Sequence, residues 1–453
     1  MTTATERSVV TFSDWTGNRE LPSFSTNTGA QRLPFQDWRH FKESFAPELI
    51  ARAVRESPVP VERCVDPFGG SGTTALACQF LGVHPVTVEV NPYLADLIEA
   101  KLTAYPSVTK LMGDLHTILQ ADITSAPGTA RSRFAAAPIT FVQPGLNERW
   151  IFDEQIADCL GVLLDAIDEL EEPSRRLFRV ILSGILIDVS NVTVNGKGRR
   201  YRQGWKDRNI LPRRVVELFQ EQAEDAIDDI QRFANRAITS YDVRRGDSRE
   251  ALLDIGQCHV AVFSPPYANS FDYTDVYNIE LWALGYLESQ EASLNLRKAT
   301  LSSHVQVSWG NVEPPSGSPT LDGALERLHS HRNELWNPGI PTMVGAYFND
   351  LLEVLGHLKR ILVDGASAWM VVGDSRYAGV HIPVAKVLQE LVVTRGWDVL
   401  TTEPCRSMRV SAQQGGDWML AEHLLVLRNN PEEIMNMDGL GDRLGNPRTR
   451  TNV

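Results

Sequence analysis

VDPFGGSGTT, running from Val65 to Thr74, is the stretch that decides how this chain folds. It follows the short β-rich run VERCVD (61–66) and precedes the helical pattern ALACQFLG. Glycines at 69, 70 and 72 let the backbone turn tightly and approach a ligand without Cβ clashes, and the following helix presents free N–H groups. A glycine-rich turn by itself is equally at home in a plain βα connection with no ligand. Asp66 and Pro67 at the strand end, and Glu89 at the end of the next run, VTVEVNP, shift the balance. A carboxylate one strand further on is where a ribose diol is held through both hydroxyls.

Outward from this turn, β-rich runs recur at 85–90, 241–245, 259–264, 367–372, 396–401 and 422–428, separated by segments long enough for crossover helices. That alternation predicts an α/β fold, a Rossmann-like doubly wound sheet. Residues 91–240 break the spacing with helical patterns such as DEQIADCLGVLLDAIDELEE (153–172) and PRRVVELFQEQAEDAIDDIQRFANRAI (212–238). The block is too large for a loop and predicts a helical insertion over 106–238. The expected division is a flexible arm (1–34), a first part of the sheet domain (35–105), the insertion, a second part (239–428) and a flexible tail (429–453). A smaller insertion, roughly 285–340, separates the fourth run from the fifth.

At 453 residues, 43% hydrophobic and 22% charged, the composition excludes a disordered, collagen-like or coiled-coil chain. Five cysteines form an odd set with no CxxC pair, which speaks against a disulfide framework and a structural zinc site and fits a reducing cytoplasm. The longest apolar stretch, Leu177 to Val189, is interrupted by Arg179 and Asp188 and is too short to span a bilayer. No metal site and no membrane partner are expected; His329 and His331 form an HxH pair on what reads as a solvated helix face. The formal charge of −13 counts against a nucleic-acid partner until its distribution is seen. GKGRRYRQGWKDRNILPRR (196–214) carries +7, leaving the other residues at −20. Lys197, Arg199, Arg200, Arg202, Lys206 and Arg208 are interleaved there with Tyr201 and Trp205, an arrangement suited to phosphates and stacked bases. A charge run is often no more than a solvated loop.

The second decisive stretch is FSPPY, Phe263 to Tyr267, at the end of the fourth run. In an open parallel sheet, strand ends near the switch point line the cleft, so Asp66 and Ser264 belong on one rim. Consecutive prolines are tolerated only where a strand ends, and they leave the Pro265 carbonyl free to accept. With no G-x-x-x-x-G-K-[ST] to cradle phosphates, the ligand reads as a nucleoside with little phosphate, which fits S-adenosylmethionine better than a dinucleotide. Its methionine arm would lie against Asp66, Pro67, Phe68, Gly69, Gly70, Gly72 and Thr73, its ribose at Glu89, and its adenine near Asp247 and Ser248.

DPFGGSGTT resembles motif I of the S-adenosylmethionine-dependent DNA amino-methyltransferases, and SPPY resembles their motif IV in the form associated with N4-cytosine methylation. RHFKESFAP (39–47) resembles the family's amino-terminal cofactor-contacting motif X and adds Phe41 and Lys42 to the cofactor set. The likeness covers roughly 35–105 and 240–428 and not the helical insertion. It implies methyl transfer to the N4 amino group of cytosine in double-stranded DNA after base flipping. Ser264 and Pro265 would serve as acceptors, Pro266 would fix the backbone, and Tyr267 would stack on the base. It implies the insertion as target reader and leaves room for a cognate restriction or defence partner. N6-adenine methylation is the nearest alternative, then an RNA or small-molecule amino-methyltransferase, then a binding module without turnover. A C5-cytosine enzyme would need a Pro-Cys pair at the motif IV position, and the Pro404–Cys405 pair lies far downstream.

Overall fold

The computed structural model describes residues 8–21, 23–24, 29–39, 44–122, 128, 132–195, 198–310, 312–409 and 419–430. Its strands are β1 (Arg63–Asp66), β2 (His84–Glu89), β3 (Val192–Asn195), β4 (Gly198–Tyr201), β5 (Asp242–Arg245), β6 (Cys258–Phe263), β7 (Leu362–Gly373), β8 (Ser375–Tyr377), β9 (Val380–Ile382), β10 (Trp397–Arg409) and β11 (Met419–Asn429). Seven of them form one sheet in the order β10-β11-β7-β6-β1-β2-β5. The strands from β5 to β7 pair in parallel, and β11 runs antiparallel between β7 and β10. The chain leaves β1 toward β2 and β5, then returns to the other side of β1 as β6. That reversal makes the carboxyl ends of β1 and β6 the switch point of a Rossmann-like doubly wound sheet.

Every β-rich run of the sequence overlaps a strand of this sheet. The central strands are buried along nearly their whole length, as in parallel sheets covered on both faces. Pleating sends alternate β6 residues to opposite cores: Val260 and Val262 to one, Ala261 and Phe263 to the other. The first core packs under the helices Glu48–Arg55, Thr73–Leu81 and Pro92–Leu102, and the second under the helices Ile340–Ile361 and Val384–Val393. Two short hairpins, β3–β4 and β8–β9, stand outside the sheet.

Residues 106–238 form the helices Val108–Leu119, Glu154–Asp168, Ser174–Ile185 and Pro212–Arg232. Their apolar faces, including Leu111, Leu160, Phe178 and Phe219, belong to the same core as Leu76 and Leu97 of the sheet domain. The helix Ser174–Ile185 lies directly on the helix Pro92–Leu102. The described part of 1–34 differs from the loose arm the composition suggests. Its helix Phe12–Thr16 is held by a capping box between Thr11 and Asp14, and Trp15, 2% exposed, stacks on Phe80 at 4.7 Å. Polar composition masked this one large aromatic anchor. Of the tail expected from 429, residues 431–453 lie outside the described residues.

Candidate active site

The glycine turn is shaped by its own packing before any ligand is considered. The Gly69 N–H donates to the Val88 carbonyl at 2.9 Å, and a Cβ there would stand 2.4 Å from Thr87 Cγ2 and 2.8 Å from Ile98 Cδ1. Gly72, at φ +80°, donates to the Gly69 carbonyl and opens the helix Thr73–Leu81. Glu89 reaches back from the end of β2 and accepts the Gly70 N–H on one oxygen (2.7 Å) and the Asn91 N–H on the other (2.8 Å). Beneath the turn, Lys101 is wholly buried and donates to the Ser71 carbonyl at 2.8 Å. Burial pushes its pKa down to about 7. This lysine escaped sequence reading because it sits in an ordinary amphipathic pattern.

Both carboxylates are nearly sealed from solvent. Desolvation raises Asp66 to about 6, against hydrogen bonds from Thr74 and the Phe68 N–H that pull the other way. It raises Glu89 to about 7, the backbone N–H groups of Asn91 and Gly70 opposing. A carboxylate offers about four acceptor sites, so Glu89, with one backbone donor per oxygen, retains capacity for further hydroxyl donors. Asp247 caps the short helix Ser248–Ala251 and is clamped by Arg249 at 2.6 Å, while the Ser248 hydroxyl donates to the Pro67 carbonyl. Both residues line the same cavity as the glycine turn.

At the end of β6, the β6–β7 ladder stops at the pair Phe263–Met370. The Ser264 hydroxyl takes the next carbonyl on β7, donating to Val371 at 3.0 Å, with the Tyr267 hydroxyl 3.3 Å away. Tyr267 donates to Glu422 at 2.8 Å, and the other oxygen of Glu422 accepts from Arg406, also at 2.8 Å. Arg406 and Glu422 are direct cross-strand partners on β10 and β11. Burial, and then the Glu422 charge, raise the pKa of the Tyr267 phenol. Phe271 and Tyr273 meet edge to face at 4.5 Å on the same wall.

A single cavity of about 390 Å³ joins these parts. Asp66, Pro67, Phe68, Gly69, Gly70, Thr73, Glu89, Asp247 and Ser248 line it together with Ser264, Pro265, Pro266 and Tyr267. Gly72 shapes the turn from behind the wall. Phe41 and Lys42 lie outside the described residues, although Ser44 and Phe45, just beyond them, do line the cavity. Sequence reading missed His304, Arg406 and Glu422 among the lining groups. A glutamate just ahead of the apolar run LLVL in EHLLVLR was the available signal for the last. Asp374 also reaches the cavity, with its carboxylate shared between the His381 ring at 2.8 Å and the Val384 N–H at 3.0 Å. The acceptor set of Glu89, Asp66 and Asp247 around an uncharged glycine turn fits S-adenosylmethionine, which offers hydroxyl and amino hydrogens and no phosphate.

The basic segment is folded more tightly than its composition suggests. Arg202 donates to the Ile187 carbonyl at 2.9 Å, Arg208 to that of Asp188, and Lys206 pairs with Glu148 at 3.0 Å. Tyr201 and Trp205 pack on each other at 4.8 Å, and Trp150 closes on Trp205 at 5.0 Å. Arg199 and Arg200 stay exposed on β4, and Lys197 lies outside the described residues. The β4 strand rests against the helix Tyr273–Val276, which follows FSPPY in the chain, so the two exposed arginines flank the cavity wall. Among the described residues no group of three or more His, Cys, Asp or Glu could hold a metal ion, and no helix is long and apolar enough to cross a membrane.

Comparison with known proteins places residues 5–100 in a family described as DNA methylase (N6_N4_Mtase). The chain is 24% identical over 426 residues to the Type II methyltransferase M.AvaI of Nostoc sp., covering 84% of this chain and 82% of that one. It is 24% identical over 419 residues to the Type II methyltransferase M.BsoBI of Geobacillus stearothermophilus, covering 82% of this chain and 79% of that one. A shorter match, 34% over 97 residues, joins it to the Type II methyltransferase M.XycI of Xanthomonas campestris pv. cyanopsidis, covering 20% and 32% of the two chains.

Proposed function

We propose that this chain, similar to the DNA amino-methyltransferases, methylates the N4 amino group of cytosine at a specific site in duplex DNA, with S-adenosylmethionine as methyl donor and the base flipped out of the helix. The observation that carries this reading is the direction of the hydrogen bond at Ser264. Its one proton is donated inside the protein, to the Val371 carbonyl at 3.0 Å with the Tyr267 oxygen as a second acceptor at 3.3 Å, so its oxygen turns lone pairs rather than a proton toward an incoming group.

An exocyclic amino group is a poor nucleophile because its lone pair is delocalised into the ring. Two acceptors, the Ser264 oxygen and the Pro265 carbonyl, would hold its two N–H bonds and turn the lone pair out of the ring plane. Neutral hydrogen bonds of this kind contribute only about 0.5–1.5 kcal/mol each, while in-line positioning contributes about 7–11 kcal/mol. Ser264 is therefore an orienter and not a strong base. Pro266 would fix the backbone, and Tyr267, with Phe271 and Tyr273, would wall the base. Glu89, Asp66 and Asp247 would hold the methyl donor, together with Pro67, Phe68, Gly69, Gly70, Gly72, Thr73 and Ser248. When bound, S-adenosylmethionine supplies an electrophilic methyl group. The 106–238 helices would carry the target reader, with the exposed Arg199 and Arg200 as its phosphate contacts. Lys197 would act beside them, while Arg202, Lys206 and Arg208 would hold the hairpin in shape through their contacts to Ile187, Glu148 and Asp188. A modification enzyme of this kind would work in the cytoplasm, where it could stand beside a cognate restriction enzyme.

The test is mass spectrometry of nucleosides from DNA of cells expressing the wild type, a Ser264→Ala variant or an empty vector. N4-methylcytosine with the wild type alone is the expected result. N6-methyladenine instead would keep the mechanism and overturn the base, and a modified nucleoside confined to RNA would overturn the DNA substrate.

A further inference from the structure

We infer that Glu422 is a positioning residue for Ser264: by taking the phenol proton of Tyr267, it leaves the Ser264 oxygen free to accept the amino group of the substrate. The inference rests on the acceptor role of Ser264 proposed above and extends it to a residue on a strand remote from the SPPY segment.

A serine hydroxyl has one proton and two acceptor sites, and so has the phenol of tyrosine. The Ser264 hydroxyl has two acceptors within reach, the Val371 carbonyl at 3.0 Å and the Tyr267 phenol oxygen at 3.3 Å, and the nearer one, which can only accept, takes its proton. The Tyr267 hydroxyl lies within reach of two oxygens, Ser264 Oγ at 3.3 Å and Glu422 Oε1 at 2.8 Å. Were its proton given to Ser264, it would fill an acceptor site that the substrate needs. Glu422 wins on distance and on charge, since hydrogen bonds to an ionised acceptor are about twice as strong as neutral ones.

A carboxylate 1% exposed in the strand EHLLVLR is costly unless it is paired. Arg406 stands opposite it in the β10–β11 register and donates to the oxygen next to the one Tyr267 uses. The Arg406 guanidinium keeps contact with solvent at its own end, 39% exposed, so the pair is anchored on one side and buried on the other. The protons along Arg406, Glu422, Tyr267, Ser264 and Val371 thus run in one direction, and they leave acceptor capacity on the Ser264 oxygen at the cavity.

The test uses the full-length protein, unmodified DNA from a modification-deficient host and a labelled methyl donor, with single-turnover rate and donor affinity read separately. Glu422→Leu fills the space without accepting a proton. It is expected to lower the rate about tenfold or more with donor affinity within about twofold, and to cost less than about threefold when introduced into Tyr267→Phe, where no phenol proton remains to be misdirected. Glu422→Gln, whose amide oxygen still accepts, is expected to restore most of the rate. An equal loss in both Tyr267 backgrounds overturns the inference and leaves Glu422 a plain structural ion pair. Should Glu422→Leu fail to bind the donor, Glu422→Gln decides: a near-wild-type rate supports the inference, and a large loss with normal donor binding overturns it. Ser264→Ala at full rate would instead sink the acceptor role itself, so the two failures are told apart.

Discussion

Glu89 fixes the shape of the turn and, in the proposed function, would also hold the ribose of the methyl donor. In the free chain it fastens the Gly70 N–H, and burial holds its pKa at about 7 against an ordinary value of 4.5. A group raised in this way binds a proton in the folded state that it lacks unfolded. Its contribution to the stability of the free chain is present below about pH 4.5 and is lost as the pH rises through about 7. Accepting the hydroxyls of a ribose requires the ionised form, so ligand binding pulls the other way. Donor affinity is therefore expected to weaken as the pH falls below about 7, by at most roughly tenfold per pH unit, with a proton released on binding. Calorimetry between pH 5.5 and 8 in buffers of different ionisation enthalpy reads both effects. Glu89→Gln should flatten the slope above about pH 6, below which Asp66 still titrates. An unchanged slope in that variant would assign the proton elsewhere.

Among the elements, the β3–β4 hairpin is the one whose sequence misleads most. The segment around it reads as a string of cations with aromatics between them, yet three of those cations are spent on the protein itself, at Ile187, Asp188 and Glu148, and Tyr201 and Trp205 are spent on each other. Among the described residues of the hairpin, what remains for a nucleic acid is Arg199 and Arg200 on β4, beside the helix Tyr273–Val276. Replacing both with glutamine is expected to lower the slope of log affinity against log salt for duplex DNA by roughly two, about 0.9 for each phosphate left without its cation. Replacing Arg202 instead should reduce melting temperature, because its guanidinium ties the hairpin to the turn after the helix Ser174–Ile185. A salt slope untouched by the Arg199 and Arg200 changes would remove the hairpin from the DNA interface.

Across the whole molecule, the two faces of the sheet divide the labour. One core carries the helix Ile340–Ile361, and the other binds the N-terminal segment, the turn helix and the 106–238 helices into one packed layer. Trp15 is the pin of that layer, stacked on Phe80, whose ring meets Phe233 edge to face at 5.7 Å. Trp15→Ala is expected to cost about 3–5 kcal/mol and to lower the melting temperature, with little change in donor affinity once folded. A melting curve identical to wild type would show the N-terminal segment to be dispensable for the core. The ion pair of Arg39 with the fully buried Glu280, at 2.5 Å, ties the chain just after that segment to the helix Asn278–Ala283 downstream of FSPPY.

The sequence by itself determined the sheet, the glycine turn with Asp66 and Glu89, and the SPPY corner, because these depend on local rules: apolar runs of strand length, glycine where a Cβ cannot fit, prolines where a strand must stop. The topology then carried both motifs to one rim without further information, since strand ends at a switch point always meet. Only the tertiary structure decided the rest. Glu422 and Arg406 come to Tyr267 from strands roughly 140 to 155 residues away, through an antiparallel register that no local pattern announces. Lys101 looked like one more helix cation until the turn was laid over it, and Trp15 like one residue of a polar arm until Phe80 was placed beneath it. The division follows range: what a residue does with its neighbours in the chain can be read from the chain, while proton direction, ion pairing and burial depend on partners that only folding brings together.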